Sequence, residues 1–168
     1  MGAVAPDLEG EDPNVRKTYQ ILAWLIAAGV VVQAASIAFG LGGMVSYVNG
    51  GGVVDKALIE SEQATFTGDL GFPIHGIVGG LVIPIASLLL LLCSFFTKVR
   101  GTTTWAAIVF GLVLVQAMVG YSIKDVPYLG LLHGANALAV LVAALVAVRR
   151  GRAVVPSVTT PSSEHVPA

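Results

Sequence analysis

Four apolar runs dominate this chain: Tyr19 to Val48, Phe72 to Phe96, Trp105 to Ile123 and Val126 to Val148. None contains an acidic residue. Each is near or above the roughly 20 residues needed to cross bilayer hydrocarbon at a rise of about 1.5 Å per residue. Inside hydrocarbon every backbone N–H and C=O needs a partner within the protein, so each run must be a helix rather than an open strand. The expected fold is therefore all-α: a polytopic membrane protein built as an up-down bundle of four transmembrane helices. The expected spans are about 19–48, 72–97, 103–123 and 126–149, within a transmembrane domain of residues 18–150.

Composition agrees. Hydrophobic residues make up 55% of the 168 and charged residues 11%, well under the roughly 25% charged share of a soluble domain. The net charge of −1 comes with no basic cluster on a solvated face, which excludes a nucleic-acid surface. One cysteine, Cys93, rules out an intrachain disulfide. Its place deep in the second run reads as an inert buried thiol.

Residues 1–17, MGAVAPDLEGEDPNVRK, read as a flexible leader broken by Gly and Pro. The VQA at 32–34 resembles a signal-peptidase site. The apolar run continues well past it, however, and far exceeds a normal signal core, so an uncleaved first span is expected. Residues 49–71 form the longest link; it opens with NGGG, and Val54, Ala57, Leu58 and Ser61 recur at helical spacing. A short amphipathic helix there and a plain solvated loop are both open readings. The tail 151–168 is rich in Pro, Ser and Thr and is expected to be disordered. His165, in that tail, is no ligand candidate. Pro84, inside the second run, should kink its helix about two turns beyond His75.

Basic residues set the orientation. Arg16 and Lys17 precede the first run, Lys98 and Arg100 lie between the second and third, and Arg149, Arg150 and Arg152 follow the fourth. The other two links carry only Lys56 and Lys124. By the positive-inside rule both termini are cytoplasmic and the 49–71 loop is outside, as in a multi-pass protein of the cell membrane.

Two histidines stand out against this apolar background. His75 lies six residues past Asp69, and His133 lies eight past Asp125. Both helices enter from the outer side, so the two imidazoles should differ in depth by only about 3 Å. An ionisable side chain within a span is costly and is a functional candidate by default. In an up-down bundle the second and fourth helices stand diagonally, and bundle cofactors are held by inward side chains of facing helices. Gly76, Gly79, Gly80 and Gly134 adjoin the pair, which suits either close helix packing or a flat macrocycle. Gln116, Tyr121, Ser122 and Asn136 lie near the same level. Gln116 and Asn136 are expected to orient an imidazole through its second nitrogen, or else simply to bond one another between helices.

The stretch VLVQAMVGYSIKDVPYLGLLHGANALAVL resembles half of a heme A synthase. The features that carry the likeness are Gln116 four residues before Gly120, a short turn with Pro127, and His133 early in the next helix. A family of small four-helix bacterial membrane proteins with a similar LHG segment is also similar. The likeness covers roughly residues 70–145. Heme A synthases place heme-ligating histidines on the second and fourth helices of each four-helix half, the positions of His75 and His133. The glutamate that family carries three residues before its first histidine is Phe72 here, and Gly130 at the equivalent step before His133. The outer-loop cysteine pair is also missing. Only the ligand geometry carries over, and oxidation of a heme methyl group does not.

Two functions follow as expectations. One is a bis-histidine heme b protein serving electron transfer, heme handling or respiratory assembly. His75 and His133 would be the iron ligands, Gly76, Gly79, Gly134, Gln116 and Asn136 would line the site, and no residue would be catalytic. Its partners would be the lipid bilayer and a respiratory or other membrane complex. The other is a non-heme structural or accessory subunit with hydrogen-bonded histidines. Zinc is disfavoured, because two nitrogens fall short of the usual three or four ligands.

Overall fold

A computed structural model describes residues 12–152, apart from 62 and 64. The N-terminal part of the expected leader and nearly all of the C-terminal tail lie outside the described residues. The element order is α1 (Pro13–Asn49), α2 (Lys56–Glu60), α3 (Gly71–Ile77), a π-helical turn (Val78–Val82), α4 (Ile83–Ser94), α5 (Thr102–Ser122) and α6 (Leu129–Arg150). With α3, the π turn and α4 taken as one rod, the described residues form four helices long and apolar enough to cross a membrane.

The first helix starts earlier than its apolar run, so residues 13–17 of the expected leader are its opening turn. Local chemistry explains this. The Asp12 carboxylate accepts the Asn14 N–H at 2.8 Å, and Pro13 takes the first helical position, where a missing N–H costs nothing. The long link contains the short helix α2, capped by the Asp55 carboxylate on the Leu58 N–H.

Helix α1 packs on α4 and α6, and α5 packs on the same two. The second and fourth rods are thus diagonal, as the short connections require. The apolar core fills only one half of the bundle, the half holding the termini and the 95–101 turn. There Tyr19, Ile26, Leu90, Val109, Val140 and Val148 are buried with a set of alanines. The Tyr19 hydroxyl donates to the Thr102 carbonyl at 3.0 Å, and the Gln20 side-chain amide donates to the Gly151 carbonyl. Arg16, Lys17, Lys98, Arg100, Arg149, Arg150 and Arg152 all belong to this end.

Past Ile83, Val113 and Val140 the core stops. Toward the other end the buried residues among those described are Ser36, Gly40, Gly68, Gly71 and Asn136, none with an apolar side chain. What joins the helices there is close approach of backbones. A Cβ on Gly71 would lie 2.7 Å from the Gly40 nitrogen and nearer still to the Ser36 carbonyl oxygen. One on Gly43 would collide with the Thr67 carbonyl. Gly68 has φ +100°, a conformation glycine adopts freely, and brings the chain against the Phe39 carbonyl. Ser36 and Gly40 stand four apart on α1, the small-residue spacing that admits a neighbouring backbone. The rings of Tyr47, Phe66 and Phe72 close this seat, at centroid distances of 5.5 and 6.4 Å.

The interruption of the second rod differs in form from a simple proline kink. It begins at Val78, three residues past His75, and the Ile83 N–H reaches back five residues to the Val78 carbonyl. Pro84 supplies no N–H, so the usual four-residue ladder cannot continue through it. A wider turn just ahead is one way to absorb the missing donor, and such turns occur mostly as single interruptions of α-helices, frequently at functional sites.

Candidate functional site

His75 sits one turn into the second rod, directly after the Gly71 seat on α1. Its Nδ1 lies 3.0 Å from the Gln33 carbonyl oxygen. A carbonyl only accepts, so Nδ1 carries the proton and the neutral ring presents the lone pair of Nε2. The Gln33 side chain returns the contact, its Nε2 donating to the His75 carbonyl at 2.9 Å. Ser36 adds its hydroxyl to the same Gln33 carbonyl at 3.1 Å. One glutamine thus fixes both the ring and the backbone of His75.

His133 approaches from α6, on the diagonal. The two imidazole centroids are 6.2 Å apart, with planes inclined by 52°. Both histidines are half-buried, and no hydrogen bond joins the rings. Beneath His133 lies Gly120 of α5, where a Cβ would stand 3.0 Å from Cε1 and 3.3 Å from Nδ1. The Gln116 backbone interacts with the ring, yet Nδ1 is buried with no partner at hydrogen-bonding geometry. A buried polar atom left in that state is uncommon and calls for an explanation.

The remaining expected site residues divide into three groups. Gly76 and Gly134, each next to its histidine, have nothing within 4 Å of the place a Cβ would take, so helix packing gives no reason for glycine at either. Gly79 is different: a Cβ there would press on the Gln33 amide, 2.7 Å from Oε1. Gln116 and Asn136 hold each other rather than an imidazole. The Asn136 amide donates to Gln116 Oε1 at 2.7 Å and to the Leu112 carbonyl at 2.9 Å. Asn136 lies one turn from His133 and points across to α5, which places its amide beyond the ring. Of the other two polar neighbours, the Ser122 hydroxyl turns back to the Met118 carbonyl. The Tyr121 hydroxyl reaches the second rod opposite Gly80.

Sequence reasoning did not identify Gln33. It is a neutral residue within a long apolar run, and its contact with the ring is through its own carbonyl, which no side-chain pattern reports. The Ser36–Gly40 spacing just after it was the available signal that a second backbone docks there.

Among the described residues no group of three or more His, Cys, Asp or Glu side chains converges as a metal site. Two imidazoles suffice only for an ion whose other ligands come from elsewhere, such as a macrocycle. A metal–imidazole bond of about 2 Å, plus about 1 Å from nitrogen to ring centre, on each side of one ion, requires roughly 6 Å between centroids. The observed separation of 6.2 Å meets that requirement. Comparison with known proteins adds nothing here: no family model, curated protein or solved structure matches the chain.

Proposed function

We propose that this integral membrane protein holds one heme b between His75 and His133. The observation that carries the reading is the 6.2 Å separation of two imidazoles on diagonal helices. It is supported by the Gln33 carbonyl, which directs the His75 Nε2 lone pair away from α1, and by the missing apolar core at this level of the bundle. The bare Gly76 and Gly134 positions suit a flat ring lying over each helix. With both axial positions filled by imidazole, the iron would favour electron transfer over oxygen binding. The likeness to half of a heme A synthase points the same way. Electron transfer, heme handling and assembly of a respiratory complex are the roles open to such a site, and none requires a catalytic residue.

Under the positive-inside rule the basic residues gathered at the termini end favour a cytoplasmic position for that end, and a heme between the histidines would then lie in the outer half of the bilayer. Lys56 and Lys124 belong to the links at the histidine end, in exposed pairs with Glu60 at 3.5 Å and Asp125 at 3.9 Å. Exposed pairs of this kind hold weakly, which leaves both lysines available to propionates. The Gln33 clamp also fits the second reading, an accessory subunit whose histidines only bond neighbouring groups.

Titration of detergent-purified apoprotein with hemin tests the proposal. Wild type should saturate at one equivalent with a low-spin spectrum, and the His75→Ala, His133→Ala double variant should show only weak, unsaturable uptake. Equal uptake by both would end the heme reading.

A further inference from the structure

The two histidines are chemically alike but are not held alike. His75 is fixed three times: by the Gln33 carbonyl on Nδ1, by the Gln33 amide on its own carbonyl, and by the Gly71 seat one turn earlier. His133 Nδ1 has no partner at hydrogen-bonding geometry, and the Gln116 backbone approaches the ring. Its ring rests on Gly120, which offers no side chain, and the flanking Gly130 and Gly134 face open space. A hydrogen bond to the outer nitrogen makes an imidazole a more basic and better-oriented ligand, and losing such a bond typically lowers metal affinity about 10- to 100-fold.

We infer that His75 is the fixed axial ligand and His133 the displaceable one, so that small neutral donors such as carbon monoxide bind the ferrous heme on the His133 side. This rests on the heme reading above. The step is a ligand substitution. The incoming molecule donates an electron pair to iron as the iron–nitrogen bond to His133 breaks and that pair returns to Nε2. No electron changes its metal and no proton moves. The ring then turns aside over Gly120, where there is no side chain to oppose it. Both the exchange and its direction are set by one asymmetry, the 3.0 Å Gln33 bond on His75 against a His133 Nδ1 with no partner at hydrogen-bonding geometry.

The test uses heme-loaded wild type, His75→Ala and His133→Ala in detergent, reduced with dithionite and titrated with carbon monoxide. The inference expects wild type to bind the gas, with its Soret band moving. His133→Ala should keep its heme in five-coordinate form and bind carbon monoxide more tightly than wild type. His75→Ala should lose most of its heme on purification. Two alanine variants with equal heme retention, or a His75→Ala protein that keeps heme while His133→Ala loses it, would overturn the inference and leave the heme reading standing. A wild type with no Soret band would overturn both. A second readout needs no heme. In apoprotein labelled with 15N-histidine, His75 should appear as a single Nδ1–H tautomer and His133 as a mixture. Indistinguishable tautomer populations would also overturn the asymmetry.

Discussion

Replacing Gly71 with alanine tests the seat on which His75 depends. The added Cβ would stand 2.7 Å from the Gly40 nitrogen, against ordinary contact at 3.4 Å. The start of the second rod must therefore retreat by at least about 0.7 Å, because the obstacle is backbone and cannot rotate away. His75 lies one turn further on and moves with it. The Nδ1 to Gln33 separation grows from 3.0 Å to about 3.7 Å, past hydrogen-bond length. Overpacking costs about 1–3 kcal/mol, and an interhelical hydrogen bond in a membrane contributes roughly 0.6–2 kcal/mol. A combined loss of about 1.6–5 kcal/mol would shift the unfolding equilibrium roughly 14- to 4,000-fold. Denaturing-detergent titration, followed by fluorescence of Trp24 and Trp105, measures the shift. Gly76→Ala is the matched control, since its Cβ would meet nothing, and it should stay within about 0.5 kcal/mol of wild type or gain slightly. If Gly71→Ala unfolds at the wild-type midpoint, the backbone contact that aims His75 does not exist.

Gly76→Ala and Gly134→Ala also separate a heme-facing glycine from a packing one. Apoprotein stability should hold while heme retention falls, and unchanged retention would remove both residues from the site. Asn136→Leu takes away two bonds between α5 and α6 and leaves the Gln116 side-chain oxygen without its donor, so a loss of about 1–2 kcal/mol is expected in the same unfolding assay. For orientation, Ser61→Cys in a Cys93→Ala background should react with an impermeant maleimide on intact cells, because Ser61 is exposed in the expected outer loop. Labelling only after the cells are opened would invert the topology.

Much of this architecture was legible because few physical rules govern a chain in hydrocarbon. Run length set the number of helices, short links set their antiparallel order, and counting residues from Asp69 and Asp125 brought His75 and His133 to one depth. The diagonal meeting of the two rings followed from that order. The missed features were those a side-chain pattern does not carry. Gln33 acts partly through its carbonyl, from 42 residues away. Pro84 marked an interruption in the second rod, but its form as a five-residue turn depends on how the freed carbonyls pair. Gln116 and Asn136 were recognised as interhelical groups, and the choice between orienting a ring and bonding each other turned on which way two amides point. The earlier start of α1 came from the Asp12 cap, a local bond outweighing the polar character of residues 13–17.

The central claim is that His75 and His133 share one iron. It is tested most directly by a reduced-minus-oxidised absorption spectrum of wild-type protein purified from cells supplied with heme precursor, with heme and protein quantified in the same sample. The account predicts sharp low-spin bands on reduction and one heme per chain. A folded, colourless protein would contradict it.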